Sequence, residues 1–393
     1  MNLLRNAFRL GAMSMGWATT SGSQTSNAAQ EWPRPVRISQ EPACSACSVV
    51  VEKIATLGRE TDREILSGTR VVAAQASNGV LFAAVASHLT ANVLVFDSTG
   101  RFRQVIGRRG RGPGEFESIN VLAVGPGDSL YVSQSGNRIS IFTARGTFVR
   151  EVKPAVIPTR AILPLSGGGI AATGTRSTPA EAGYAVHRLR KDGSYDRPLC
   201  GLSPIQMPNN VPSRDREIAH GQNGDVWAIE PANYRIERCA PDGSVAQVLT
   251  RDAPWMWPAI AVPPAPGQVR VRVTTPPRST PGAPPPAVKP VPRPATRIRA
   301  LWVDESGHLF VAATIPDSAW EAAARIPDID PLSERLYDSM IDVIDPVSGT
   351  LIASKRLPFG IHTYIGNGLV SNVHSLPSGL VEVTVWRVRL IRP

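Results

Sequence analysis

Short apolar runs recur along the chain, and each follows a turn that contains glycine. The runs are rich in β-branched and aromatic residues, as at 80–82, 130–132, 226–228 and 309–311. Glycine tolerates positive φ and such side chains suit a pleated surface, so each unit predicts a tight turn that leads into a strand. The six turns are centred, in chain order, on Gly79, Gly127, Gly168, Gly224, Gly307 and Gly368.

In five of the units a second turn follows, with an apolar strand on either side. These turns lie at 97–100, 144–146, 191–193, 241–243 and 346–349. Four strands in a unit that repeats about every 40 to 50 residues are typical of a propeller blade. The pattern therefore predicts an all-β fold, a six-bladed β-propeller of four-stranded antiparallel blades.

The sixth unit ends without a fourth strand, and an unassigned strand precedes the first unit. This strand, 49–58, resembles the fourth strand of blade 1 and contains three consecutive valines. An unpaired edge in the last blade would be a liability, so we expect the N-terminal strand to complete that blade and close the ring. The pairing partner should be the strand that contains Trp386.

The remaining segments define the domain organisation. Residues 1–28 resemble a signal peptide, with a basic start, a short apolar middle and small residues before the end; a disordered leader is the alternative. Residues 29–48 form a linker, and residues 49–393 form the propeller. Proline fixes φ and donates no amide hydrogen, so the proline-rich stretch 254–297 is an insertion between blades 4 and 5 that runs over the surface.

One unit resembles a known repeat. Gly107–Phe116 reads GRRGRGPGEF, and 130–132, 137–142 and 146–148 follow it at the spacing of an NHL repeat. The chain is similar in particular to NHL-like six-bladed propellers of exported bacterial proteins, most specifically over residues 93–150, and it departs from them at Ser133, where many repeats carry aspartate. The resemblance implies the fold and a binding face; members include RNA binders, lyases and many proteins without known activity.

The charge of the chain bears on whether its partner is a nucleic acid. The formal net charge is +10, but the basic residues are scattered along the chain. A nucleic-acid groove needs localised phosphate contacts, so the charge does not favour nucleic acid. No stretch is apolar for about 20 residues, which predicts no transmembrane segment.

The four cysteines bear on the cellular compartment in which the protein is found. Cys44 and Cys47 form a CxxC pair ahead of a valine strand, where a local disulfide, free thiols and half of a metal site all remain open. Cys200 and Cys239 have no neighbour at that spacing, and their redox state is not determined by the sequence. We expect an exported protein, periplasmic or extracellular.

The start of each innermost strand should line the mouth of the central funnel. Arginine presents paired donors to carboxylate or phosphate, so an excess of arginine there predicts an anion-binding site. The alternative is that these arginines only pair with nearby acids such as Asp215 or Glu217 and hold the blades together. Counting back from the six turns gives Arg70, Asn120, Arg160, Glu217, Arg299 and His362, with a register uncertainty of one or two residues.

Two further features belong to the same face. Arg108, Arg109 and Arg111 could add charge to its rim or form a solvated turn. His220 and His362, with Glu217 and Asn120, could bind a metal ion in the funnel.

The sequence thus predicts a non-catalytic, monomeric binding module for a protein, peptide or glycan, with no cofactor. Its alternative is a metal-dependent hydrolase or lyase.

Overall fold

The computed structural model describes residues 32–62, 66–68, 70–86, 91–174, 176, 183–202, 206–207, 211–212, 216–256, 293–325 and 334–393. Within these ranges no helix is long and apolar enough to span a membrane. The expected signal peptide and most of the proline-rich insertion lie outside the described residues, so both stay predictions.

Six four-stranded antiparallel sheets form the blades, as the turn spacing predicts. Two strands precede them, β1 (Val36–Arg37) and β2 (Ser48–Leu57). Blade 1 contains β3 (Val71–Gln75), β4 (Leu81–Val85), β5 (Val93–Phe96) and β6 (Phe102–Ile106). Blade 2 contains β7 (Ile119–Val124), β8 (Leu130–Gln134), β9 (Arg138–Phe142) and β10 (Phe148–Val152). Blade 3 contains β11 (Ile162–Pro164), β12 (Ile170–Thr173), β13 (Tyr184–Leu189) and β14 (Tyr195–Leu202).

The second half of the ring repeats this arrangement after a small hairpin, β15 (Gln206–Met207) and β16 (Val211–Pro212). Blade 4 contains β17 (Glu217–His220), β18 (Val226–Ile229), β19 (Arg235–Cys239) and β20 (Val245–Thr250). Blade 5 contains β21 (Arg297–Val303), β22 (Leu309–Pro316), β23 (Tyr337–Asp345) and β24 (Thr350–Leu357), with a short helix α1 (Trp320–Ala323) between its second and third strands. Blade 6 contains β25 (Thr363–Gly366), β26 (Leu369–Ser375) and β27 (Val381–Ile391).

The N-terminal strand closes the ring, which confirms the predicted closure. β2 pairs antiparallel with β27 and becomes the outer strand of blade 6. In this register Lys53 lies opposite Trp386. The innermost strands contact one another in the cyclic order β3, β7, β11, β17, β21, β25 and back to β3.

Apolar side chains fill the space between neighbouring blades. Six buried clusters are present, one for each gap in the ring. Leu57, Leu81 and Val383, for example, join blade 6 to blade 1. Because both faces of each sheet are covered, most strand residues are buried rather than alternating, and this packing makes the ring a rigid support for its loops.

The segment ahead of β2, residues 32–47, runs along the outer edges of the blades; we call it the strap. β1 pairs in parallel with β20 and adds a fifth strand to blade 4, which the turn pattern does not predict. Further on, the Ala43 amide donates to the Leu351 carbonyl oxygen over 2.8 Å, at the outer strand of blade 5.

Buried charges hold the strap in place. Arg251 donates to the Gln40 carbonyl oxygen over 2.8 Å and pairs with Asp342, a carboxylate that also accepts a hydrogen bond from Tyr234. At the other end, Trp32 packs directly on Gly201 of blade 3, where an added Cβ would lie 1.6 Å from the indole ring. The strap therefore contacts blades 3, 4 and 5 before β2 enters blade 6.

Both pairs of cysteines form disulfides. Cys44 and Cys47 close a turn just before β2, as one of the sequence alternatives has it. Cys200 on β14 and Cys239 on β19 are buried and join blade 3 to blade 4. That cross-blade bond is not evident from the sequence, because the two residues meet only once the blades pack.

Candidate functional site

The six predicted funnel residues lie at the beginning of the innermost strands. Each lies one or two residues before its strand or among the first three residues within it. In blade order they are Arg70 before β3, Asn120 in β7, Arg160 before β11, Glu217 in β17, Arg299 in β21 and His362 before β25.

β-bulges occur at three of these positions. The register shifts on either side of Asn120 in β7 and of Arg299 in β21, so each is an extra residue that has no partner opposite. Arg160 occupies the same kind of position. The carbonyl oxygen of Thr173 accepts from the Thr159 amide and the Thr173 amide donates to the Ala161 carbonyl oxygen, so Arg160 lies between two residues that face the same partner. Bulges re-aim a side chain out of the regular alternation and are common beside binding sites.

Arg160 and Glu217 form an ion pair between blades 3 and 4. Their side chains keep 22% and 13% of their exposure, so the pair is partly shielded from water. For Arg160, the expectation that funnel arginines pair with nearby acids is therefore correct.

Arg299 differs from Arg160. Its Nε donates to Thr314 Oγ1 over 3.2 Å, and it forms no ion pair with any residue in the described ranges. Burial, and then the charges of the nearby Arg160 and Arg297, lower the pKa of Arg299 to about 10, against smaller opposing effects of Glu217 and Tyr337. The guanidinium group is thus a largely buried cation crowded by like charge.

His362 is close enough to Arg299 for the charge of the guanidinium group to affect it. Burial, and then the charge of Arg299, lower the pKa of His362 to about 4. The ring is neutral at pH 7, and its Nδ1 accepts a hydrogen bond from the Val373 amide over 3.2 Å. Nε2 therefore carries the proton and is a hydrogen-bond donor.

The other two predicted residues are less constrained. Arg70 is exposed, Asn120 is half-buried, and neither has an ion pair or side-chain hydrogen bond to the described part of the chain. The structure thus brings four of the six residues into one electrostatic group: Arg160, Glu217, Arg299 and His362.

The possible metal ligands of the funnel are not brought together. Among the described residues, the His, Cys, Asp or Glu side chains whose ligand atoms all lie within 4.8 Å of one another are Cys200, Glu237 and Cys239. Two of these form a disulfide, and Glu237 pairs with Arg216 and Arg235. His220, His362 and Glu217 do not form such a cluster.

Hydroxyl residues on the second strands support the bulges, and the turn pattern alone does not point to them. Thr173 Oγ1 accepts hydrogen bonds from the amides of Arg160 and Ala161, at 3.2 and 2.8 Å, and Thr314 bonds to Arg299. A serine or threonine within the second strand of blades 2, 3, 5 and 6 is the signal that could have revealed them. It recurs at Ser133, Thr173, Thr314 and Ser371.

The arginine-rich loop, Gly107–Phe116, borders a separate cavity of about 560 Å³ on the loop-rich side. Arg109, Arg111 and Glu117 line it from the connection between blades 1 and 2, and Ser135 and Gly136 line it from the turn between β8 and β9. Both connections therefore lie on one face of the ring, as the topology predicts.

Comparison with known proteins supports the architecture. A family model described as a 6-bladed beta-propeller matches residues 60–171, which is less than half of the chain. No curated protein is similar in sequence. The resemblance to NHL repeats stays a prediction.

Solved structures give the same fold at low identity. A member of the DUF4221 family from Bacteroides vulgatus has a TM-score of 0.57 and 10% identity, over 88% of this chain and 99% of its own. A candidate exported protein from Bacteroides fragilis has a TM-score of 0.51 and 11% identity, over 91% and 98% of the two chains. A virginiamycin B lyase from Staphylococcus aureus, at a TM-score of 0.43 and 11% identity over 87% and 99%, is too distant to carry an argument.

Proposed function

We propose that the protein is a binding module that holds an anionic group of its ligand in the central funnel. The observation that carries this proposal is Arg299, a largely buried guanidinium group with a single hydrogen bond to Thr314 and no acidic partner among the described residues. A buried charge is costly unless it is paired, so such a cation favours an incoming carboxylate or phosphate.

The charges around Arg299 favour an anion as well. The charges of Arg160 and Arg297 both act on Arg299, while Glu217, the carboxylate that acts on it, is already paired with Arg160. An anion that accepts from Arg299 would relieve this repulsion. His362 is neutral at pH 7, so it adds no positive charge beside Arg299, and its Nε2–H is a further hydrogen-bond donor.

Export is part of the same proposal. Two disulfides support an oxidising compartment, and the first 28 residues resemble a signal peptide. The similar propeller from Bacteroides fragilis is named as a candidate exported protein. The location of the mature N-terminus, found by mass spectrometry, tests this part.

The competing hydrolase or lyase has less support. It needs Glu217 and the histidines as metal ligands, but Glu217 is engaged by Arg160 and His362 Nδ1 accepts from a backbone amide. The geometry therefore favours binding over metal chemistry at this site. Metal analysis of the purified protein discriminates the two functions.

The test is phosphate binding by Arg299→Gln, measured by isothermal titration calorimetry. Wild-type protein should bind inorganic phosphate, and Arg299→Gln should weaken binding about 10- to 100-fold, because a charged hydrogen bond contributes about 1.5–3 kcal/mol. Glu217→Gln should strengthen binding, since it removes the competing carboxylate.

Arg389→Gln is the matched control, because Arg389 is an exposed arginine in the outer part of blade 6 that pairs with Glu52. It should leave phosphate affinity unchanged. Equal affinity of Arg299→Gln and wild type would contradict the proposal.

A further inference from the structure

The loop Gly107–Phe116 has a fixed conformation. Phe116 is fully buried, its amide donates to the Arg108 carbonyl oxygen over 2.8 Å, and its own carbonyl oxygen accepts from Gly110 over 3.0 Å. Gly107 has φ +72°, and a Cβ there would lie 2.3 Å from the Phe116 ring. The loop therefore presents its arginines from a rigid frame.

Two of the three arginines in this loop are already paired. Arg108 pairs with Glu115 over 2.8 Å, and Arg111 pairs with Glu117 over 2.6 Å. Glu115 is further fixed by the Gly112 amide at 2.9 Å, and this hydrogen bond contributes most to the lowered pKa of its carboxyl. Arg109 alone of the three forms no ion pair with the described part of the chain.

Arg109 borders the 560 Å³ cavity, and another lining residue, Glu117, lies two residues before β7, the innermost strand of blade 2. Glu117, which also lines it, is three residues before Asn120, a separation of about 10 Å along an extended chain. The next residue after Glu117, Ser118, donates a hydrogen bond from its hydroxyl group to that of the lining residue Ser135 over 2.5 Å, which joins the residue before β7 to the turn after β8. Blade 3, with Arg160, is the next blade around the ring.

We propose that the cavity at Arg109 is a second anion subsite, which binds another acidic group of the same ligand and makes that ligand a short acidic peptide. This inference rests on the proposed function, because the first acidic group lies in the funnel. Arg109 supplies a paired donor to the second carboxylate.

The lining of the cavity favours a peptide. It consists of arginine, glutamate, serine and glycine, with no aromatic ring on which a flat group could stack. Gly110 and Gly136 allow close backbone approach, and Glu117 and Ser135 provide acceptors for peptide amides. Blade 5, with Arg299, lies across the ring from blade 2, so the peptide must be longer than the separation from Glu117 to Asn120. An extended hexapeptide spans about 20 Å.

The experiment compares hexaglutamate with blocked ends, hexagalacturonate and inorganic phosphate, by calorimetry at physiological salt. Salt at this strength screens exposed charges beyond about 8 Å, so the overall basic charge contributes little. Arg109→Ser should weaken hexaglutamate binding at least tenfold and leave the Arg299-dependent binding of phosphate in the funnel unchanged. Arg145→Ser removes one charge from a turn on the opposite face and should change neither.

The outcomes separate the two proposals. Unchanged hexaglutamate affinity in Arg109→Ser, or an equal loss for hexaglutamate and for the Arg299-dependent binding of phosphate, would overturn the second subsite. Arg109-dependent binding of hexagalacturonate in preference to the peptide would overturn the peptide assignment. Phosphate binding that does not depend on Arg299 contradicts the funnel site itself, whatever Arg109→Ser shows.

Discussion

His362 illustrates how a single buried side chain makes the stability of the fold depend on pH. Its pKa is about 4 in the folded protein, mainly because of burial and then because of Arg299, against an ordinary value of 6.5. Between these two values the unfolded chain binds the proton and the folded chain does not. This contribution to stability is therefore complete above pH 6.5 and is lost as the pH falls towards 4.

His362→Gln should flatten this dependence. Urea unfolding at pH 7 and pH 4.5 should show a difference in free energy that is smaller by about 2 kcal/mol in the variant than in wild type. The exposed His374→Gln serves as control and should keep the wild-type difference. A variant with the wild-type pH dependence would show that His362 is not the group responsible.

The positions of single residues were easier to predict from the sequence than the residues with which they form ion pairs. Counting back from the turn glycines placed Arg160, Glu217, Arg299 and His362 at the strand starts where they lie. It could not show that Arg160 pairs with Glu217 while Arg299 lacks an acid, since that depends on bulges set by Thr173 and on the packing of neighbouring blades. The role of all six residues in binding stays a prediction.

Among the elements, the strands β14 and β19 are joined most firmly, by the bond between Cys200 and Cys239. The two cysteines are 39 residues apart in sequence, whereas Cys44 and Cys47 are 3 apart. A disulfide restricts the unfolded chain more when it closes a longer loop. The cross-blade bond should therefore contribute more to stability than the bond in the turn.

Replacing each pair with alanine tests this difference. The double variant at Cys200 and Cys239 should lose about 4 kcal/mol in urea unfolding, and the double variant at Cys44 and Cys47 about 2 kcal/mol. Equal losses for the two variants would argue against loop length as the cause.

Elements with a repeated pattern were predictable, and those without one were not. The glycine turns and the short apolar runs that follow them identified the strands of all six blades. The strap has no such pattern, because β1 consists of only two residues. The rest of the strap is held by single hydrogen bonds to blade 5, by Arg251 and by the packing of Trp32 on Gly201. Its position depends on edges that exist only after the blades have formed.

For the whole molecule, ring closure by β2 is the feature on which the fold depends. β27 is an 11-residue strand, and without β2 its outer edge would be unpaired. A long unpaired edge favours association with other chains. The six-bladed count was predictable from sequence because the missing fourth strand and the extra N-terminal strand account for each other.

A series of N-terminal truncations tests the closure. A variant that begins at residue 32 should keep the wild-type melting temperature, and one that begins at residue 48 should melt lower because it lacks the strap. A variant that begins at residue 59 lacks β2 and should aggregate without a cooperative transition. Circular dichroism and size-exclusion chromatography give these readouts, and a soluble, cooperative third variant would exclude β2 as the essential closing strand.

The pairing of Glu52 with Arg389 joins residues that are 337 positions apart. A ribosome or an export channel delivers the chain from its N-terminus, so the first strand of the propeller must wait until almost every other residue has emerged. Contacts this distant in sequence also slow folding. During that interval the valine-rich segment of β2 is exposed, and a chaperone that binds it would prevent association with other chains before the ring closes.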